Sequence, residues 1–405
     1  MRQRLIYLMK VYMLTVVVFI AAKLVFMLVN YEGHAFGIGD MCAVILHGLT
    51  LDLSTSLYFL ILPFLTTLFS LWWDDRRLHT FLRIYYGIIA TMLMLAFVAD
   101  TSLYPFWGFK LDASCLQYLE TPTEVRASVS GFYMTLRIIL LILGSYALYR
   151  LYKAIPFWAK DPSRRQAATV TNLLFIPLFI IGIRGGLDES TTNIGQVYFS
   201  QNQFLNHSAV NPVFSFLSSF EKTASNIVDY DFFSQSECDT LMKDLYPTTS
   251  VNTDTLLTTS RPDIVIVLME SAGDIFEKVM PRLRGLKKEG IDFTACYGNT
   301  WRTDRGTVCT YSGYPSFPTS SVMKMPPKTN HLPGIAAALR EVGYQTYYLY
   351  GGDINFTNMR SFLVTTGWEQ LQWKADYTNE EQSSAKWGVR DDITFNTLYE
   401  QIAAI

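Results

Sequence analysis

Histidine and cysteine, which supply most transition-metal sites, are scarce here: the chain has five of each in 405 residues. No two of the cysteines (42, 115, 238, 296 and 309) stand in CxxC spacing, which excludes a zinc ribbon. Cys296 and Cys309 could pair in an oxidising compartment, but they read more simply as small buried residues. Charge is also thin, at 17% of residues with a formal net charge of −2. No basic patch rises above the charges that flank apolar runs, so nucleic acid is not a partner. Internal repeats and low-complexity tracts are absent as well.

Half of the residues are hydrophobic, and most of that hydrophobicity falls before Arg184. The run 5–29 (LIYLMKVYMLTVVVFIAAKLVFMLV) has the roughly 20 apolar residues that span a bilayer core. Further candidates are 53–73, 82–104, 131–152 and the shorter 169–183. Basic residues in MRQR, DDRR and YRLYK…DPSRR fall in alternate connections, which the positive-inside rule assigns to the cytoplasm. Five spans then leave everything after Ile183 outside. A signal peptide is excluded by the length of the first run and by the missing small-residue cleavage site.

Asp52 interrupts the second apolar region, with His47 nearby. An acid at this place reads as an interfacial polar contact rather than a proton relay. In the exterior connection 105–130, Phe106, Trp107 and Phe109 read as interfacial anchors, on a loop or a surface-lying helix. From Arg184 the composition turns to Gly, Ser, Thr, Asn and Gln, an exterior linker with helical stretches at 213–228 and 236–247.

The last third reads as α/β. PDIVIVLME (262–270) has the β-branched richness of a buried parallel strand and ends on Glu270. A helix over 276–290 and the segment 291–298 lead to Trp301-Arg302-Thr303-Asp304-Arg305-Gly306, where Thr303 starts a second helix. Residues 331–353 give a helix, a Gly343 stop, a strand and a Gly-Gly-Asp turn. Ligands of such sheets bind beyond the carboxyl ends of the strands, the edge that Glu270 and Asp353 share.

These residue types suit phosphoryl chemistry. A threonine hydroxyl is a weak nucleophile until a neighbouring base or cation draws off its proton. Glu270 can ligate such a cation, Arg302 or Arg305 can neutralise phosphoryl oxygens, and Arg360 can hold an anionic substrate beside Asp353. Each also has an ordinary role. Thr303 can simply cap a helix, Asp353 can shape a turn, and Arg305 can be a solvated charge. His331 starts a helix, and Asp391 and Asp392 cap the final one.

In order, five N-terminal spans, an exterior linker, DIVIVLMES, T-D-R-G, Y-G-G-D-I-N-F-T-N-M-R and WGVRDD resemble the lipoteichoic acid synthase family. That family lies in the sulfatase-like branch of the alkaline phosphatase superfamily. The resemblance implies residues 1–183 as a polytopic α-helical membrane domain and 184–260 as extracytoplasmic linker. It implies 261–405 as the N-terminal part of a sulfatase-like α/β domain, incomplete at its C-terminus. It puts the metal ligands at Glu270 and Thr303, the nucleophile at Thr303, and substrate contacts at Arg302, Asp353 and Arg360.

The implied activity is phosphoglycerol- or phosphoethanolamine-type head-group transfer from a membrane phospholipid donor to an envelope glycan or lipid. Mn, Mg or Zn is the implied cofactor, and the bacterial cytoplasmic membrane the implied location. The synthases carry F-W-N-R where this chain has Phe356-Thr357-Asn358-Met359-Arg360, so glycerophosphate is the less secure part of that expectation. Arylsulfatases need C/S-x-P-x-R, which Thr303-Asp304-Arg305 does not match. The family's Asp-His metal pair and substrate histidine have no counterpart before Ile405, which marks the chain as a fragment of a longer protein. The opposing expectation is a truncated, catalytically incompetent membrane protein acting only as a partner or sensor.

Overall fold

The computed structural model describes every residue except 1, 74, 114, 117–129, 159–164, 189, 227–231, 244–256, 271, 274–277, 301, 318–319 and 405. Among the described residues, four helices are long and apolar enough to cross a membrane: α1 (Arg2–Val29), α2 (Ile38–Phe69), α3 (Asp75–Trp107) and α4 (Gly131–Ala154). In the fifth, α5 (Arg165–Arg184), the apolar part is Leu173–Arg184. At 1.5 Å per residue, a 28-residue helix such as α1 exceeds the roughly 30 Å hydrocarbon core. The second span begins at Ile38, well before the expected residue 53. Gly37 and Asp40 start the helix there, the Asp40 carboxylate accepting the Gly37 N–H at 2.8 Å.

α1 packs along α2, α3 along α4, and α5 against α2. Near the start of α1, Tyr7, Leu60, Phe64, Leu82, Tyr86 and Trp158 form one core, in which Tyr86 stacks on Tyr152 at 5.0 Å. Outward-facing residues are apolar too. Ile84, Ile88, Met92 and Leu95 make a helical stripe on α3, each more than half exposed. Water would penalise that stripe, whereas lipid would not.

Charges inside the bundle are paired. Lys23 of α1 meets Asp52 of α2 at 2.7 Å, both 0–1% exposed, and also donates to the Gly48 carbonyl at 2.7 Å. Asn211 donates to the other Asp52 oxygen at 2.9 Å. The partner of Asp52 is therefore Lys23 and not His47, whose ring stacks on Phe199 at 4.3 Å. Lys110, beyond the end of α3, pairs with buried Asp100 and sits 3.5 Å over the Phe26 ring. The surface-lying helix considered for 105–130 falls largely outside the described residues.

The linker is ordered around these pairs. A 3-10 turn (Ile194–Val197), α6 (Gln203–Ala209) and α7 (Pro212–Asn226) pack where the end of α1, the first half of α2 and the end of α3 come together. Ile194, Val197, Phe204 and Ala209 share a core with Val44, Leu51 and Tyr104. α8 (Gln235–Met242) follows, and most of the tether after it lies outside the described residues.

Beyond the tether, β1 (Tyr347–Tyr350) and β2 (Gln370–Trp373) form a parallel pair in the register Tyr347↔Gln370 to Tyr350↔Trp373. α9 (Pro281–Leu286), α10 (Thr303–Ser312), α11 (Pro326–Thr329), α12 (Ile335–Glu341), α13 (Met359–Thr365), α14 (Asn379–Gln382) and α15 (Asp391–Ala403) complete it. α13 is the crossover between the two strands. The core under β1 holds Val308, Tyr311, Met323, Tyr348, Ile354 and Phe362.

The strand expected at 263–269 does not form, and the segment 291–298 holds no strand either. Ile264 to Met269 are each 41–54% exposed, and no described strand pairs with them. A β-branched run has strand propensity, but without a neighbouring ladder its N–H and C=O groups stay unpaired. The helix expected over 276–290 is confined to Pro281–Leu286, with 274–277 outside the described residues. Cys296 is exposed, contrary to the expected burial, and Cys309 is half-buried; both are free thiols.

Two outcomes follow from this packing. A Cβ at Gly48 would overlap Lys23 Nζ and the Ala209 carbonyl, so Gly48→Ala should cost about 3 kcal/mol by overpacking and by disturbing a buried ion pair. Thermal unfolding of the detergent-solubilised protein measures that loss. His207, buried between Tyr104 (3.0 Å) and Asn330 (3.1 Å), has its pKa pushed from 6.5 down to about 3, chiefly by burial and then by Lys110. The unfolded chain therefore takes up a proton near pH 6.5 that the folded chain refuses until about pH 3. Stability should be full above pH 6.5 and fall as pH drops toward 3, by up to about 1.4 kcal/mol per pH unit. His207→Asn should flatten that slope in a pH series of melting curves.

Candidate functional site

Thr303 is the first residue of α10, with extended Arg302 before it at the N-cap and the helix closed by Gly313 at φ +63°. That start exposes backbone N–H groups and the positive end of the helix dipole beside the Thr303 side chain. The Thr303 hydroxyl donates a hydrogen bond to the Glu270 carboxylate, across 33 residues of sequence. Thus the last residue of the extended 262–270 segment and the first residue of α10 meet.

Glu270, Arg302 and Thr303 line one cavity with Tyr350, Gly351 and Gly352 from the end of β1. Its volume is about 3010 Å³, several times that of a small-molecule pocket, so size alone does not define a ligand. Arg302 is exposed at its rim. Arg305, expected as a solvated charge, is half-buried on the next turn.

Asp353 and Arg360 do not line this cavity. They lie past the Gly351-Gly352 turn, where the Asp353 carboxylate accepts the Asn355 N–H at 2.9 Å. Tyr350 links the two halves. Burial raises its pKa, and the negative charges of Glu270 and Asp353 push it further in the same direction. Arg360 sits 5.5 Å over the Trp373 ring, at the end of β2. Burial lowers the pKa of its guanidinium, while Asp353 and Asp376 act against that shift. The Nε of Arg360 is buried without a hydrogen-bond partner among the described residues. The site is therefore bipartite: a nucleophile–carboxylate pair at one strand end, and a cation with an unfilled donor at the neighbouring strand ends.

Sequence reasoning missed Tyr350, Trp373 and Asp376. Their signal was positional, because Tyr350 ends β1 and Trp373 ends β2, on the edge that already carried Glu270 and Asp353. It also missed His47, which lies within electrostatic reach of Arg360 although it belongs to α2.

The donor chemistry allows a test of metal fit. Among the described residues no group of three or more His, Cys, Asp and Glu side chains converges. Glu270 and Thr303 give two oxygens, whereas divalent cations take four to six or more ligands. The residues present do not by themselves fit a closed divalent-cation site.

Residues 262–404 match the Sulfatase family. A third of the chain is similar to phosphoglycerol transferase I of Salmonella arizonae, at 28% identity over 144 residues covering 33% of this chain and 18% of that protein. It is similar to the Salmonella paratyphi B protein of that name at 28% over 148 residues, covering 33% and 18%. The phosphoglycerol transferase I of Escherichia coli O6:K15:H31 is likewise 28% identical over 144 residues, covering 32% and 18%. The aligned region thus spans less than a fifth of the length of these relatives. No solved structure matches the chain. Behind its membrane-length helices, the chain carries in residues 262–404 a segment that is similar to the Sulfatase family.

Proposed function

We propose that the protein is a membrane-bound transferase that moves a phosphoryl-linked head group, of the phosphoglycerol or phosphoethanolamine type, through a covalent intermediate on Thr303. One observation carries this reading: the Thr303 hydroxyl is held on the Glu270 carboxylate at a helix N-terminus. The likeness to phosphoglycerol transferase I supports phosphoglycerol as the group. The membrane-length helices support a membrane phospholipid donor and an envelope glycan or lipid acceptor, on the outer face of a bacterial cytoplasmic membrane.

Thr303 Oγ1 attacks the phosphorus of the donor phosphodiester, forming a Thr303–phosphate ester as the bond to the departing lipid alcohol breaks. Glu270 takes the hydroxyl proton, which leaves with that alcohol. In the second half an acceptor hydroxyl gives its proton to Glu270 and attacks the same phosphorus; the Thr303 Oγ1–phosphorus bond breaks, and Glu270 returns the proton to Thr303. Free N–H groups at the start of α10 and the Arg302 guanidinium face the phosphoryl oxygens. Arg360, backed by Trp373 and flanked by Asp353, takes the anionic part of the donor.

Sulfatase-like enzymes of this superfamily generally use divalent metals, and such an ion, with Mn, Mg and Zn as candidates, would lower the barrier to ionising Thr303. Glu270 and Thr303 are the residues that would touch it. Their two oxygens do not complete a site, so no step above is routed through the metal. The small donor set also favours a second reading, in which this length of chain binds head groups as a partner or sensor without turnover.

Two substitutions test the proposal. Thr303→Ala should abolish head-group transfer from phosphatidylglycerol vesicles, by at least about 1,000-fold for loss of a nucleophile. Undiminished transfer would remove the mechanism, and absence of transfer in both proteins would favour the binding-only reading. Trp373→Ala should weaken retention of glycerol phosphate about three- to thirtyfold through loss of the cation–π contact, and Trp373→Phe should retain most of it. Titration calorimetry reads that difference.

A further inference from the structure

Arg360 stands two residues after an unusual stretch of backbone. Thr357 (φ 56°) and Asn358 (φ 63°) are both in the left-handed region, and they are the only two described non-glycine residues there. Side chains rarely tolerate that conformation, and two in succession persist only where the surroundings hold them.

The holding groups come mostly from the linker. Asn193 Nδ2 donates to the Asn355 carbonyl at 2.8 Å, and the Gly195 N–H donates to Asn358 Oδ1 at 2.9 Å. Asn358 Nδ2 reaches the Lys324 carbonyl at 3.3 Å. Gly195 cannot be enlarged, because a Cβ there would lie 2.8 Å from Asn358 Cα. The linker turn is in turn fixed to the membrane helices. The Thr192 N–H donates to the Arg184 carbonyl at 2.8 Å at the end of α5, and Ile194 and Val197 pack with Val44 and Leu51 of α2. At the other end, the Arg360 N–H donates to the Ile354 carbonyl at 2.8 Å, so the turn dictates where α13 starts and where Arg360 points.

We infer that the membrane-proximal turn Asn193–Gly195 is a positioning element of the anion site: it holds the left-handed pair Thr357-Asn358 and thereby places Arg360 over Trp373. The membrane anchor is then part of head-group recognition as well as a tether. This inference rests on the reading of Arg360 as the group that receives an anionic head group.

The test uses the full chain in phosphatidylcholine nanodiscs with glycerol 1-phosphate as the probe. Arg360→Ala should abolish binding; binding unchanged by that substitution, or absent from the parent protein, would remove the reading of Arg360 and the inference with it. Given Arg360-dependent binding, Gly195→Ala and Asn193→Ala should each raise Kd about tenfold or more, as expected when a binding group is displaced by an ångström or so. Gly39→Ala, at a helical glycine with open space around it, should leave Kd unchanged.

Hydrogen exchange gives a readout independent of the probe. Asn193→Ala should speed exchange of the Arg360 and Asn358 amides at least about tenfold while α10 amides stay as they were. A Gly195→Ala protein that binds like the parent, or an Asn193→Ala protein with unaltered exchange across 355–360, would overturn the inference.

Discussion

The Lys23–Asp52 pair is the constraint around which the outer half of the molecule is arranged. Two opposite charges 0–1% exposed in an apolar bundle are tolerable only while each keeps its partner, since losing one leaves the other uncompensated. That requirement fixes α1 against α2, and Gly48 must lack a side chain for Lys23 to reach across. Asp52 has a second oxygen to satisfy, and Asn211 satisfies it from the linker. The Asn211 side chain also accepts the N–H groups of Val213 and Phe214, which starts α7. One buried carboxylate thus sets the helix pair and the start of α7.

From there the order propagates outward. His207, neutral and enclosed, meets Tyr104 of α3 on one nitrogen and Asn330 of the sulfatase-like segment on the other. With an amide donor facing Nε2, that nitrogen accepts and Nδ1 carries the proton. Gln201 adds two contacts to the same segment, donating to the Trp368 carbonyl at 2.9 Å and accepting from Arg340 at 3.1 Å. These are polar, directional contacts between surfaces that would otherwise be solvated. They specify one seating of the segment on the membrane-side core, rather than merely adding affinity.

Much of this was legible in residue order. Apolar runs of membrane length, with basic residues in alternate connections, announce the helices because lipid imposes length and burial rules that water does not. The sequence 331–353 spells its helix, stop and strand through Gly343 and the β-branched and aromatic alternation that follows. The meeting of Thr303 with Glu270 was also readable, since Thr303 does start a helix and Glu270 closes the apolar run that points toward it, although that run is no strand. Other features were not. Asp52 reads as a polar contact with a histidine nearby, and nothing local points to its partner Lys23, which lies one helix away and 29 residues back. Trp373 and His47 reach Arg360 only through tertiary packing, which leaves no local pattern. The run 263–269 misled in the opposite way. Its propensity is that of a strand, but a strand is a relation between two chains of hydrogen bonds, and here the second is lacking among the described residues.

That run has a further consequence. Six apolar side chains stand on a ribbon with no strand partner among the described residues, across an open groove from β1, which pairs with β2. Such a ribbon is a template for edge-to-edge zippering. At high concentration a neighbouring molecule offers the same ribbon in return, and self-association through it competes with monodispersity.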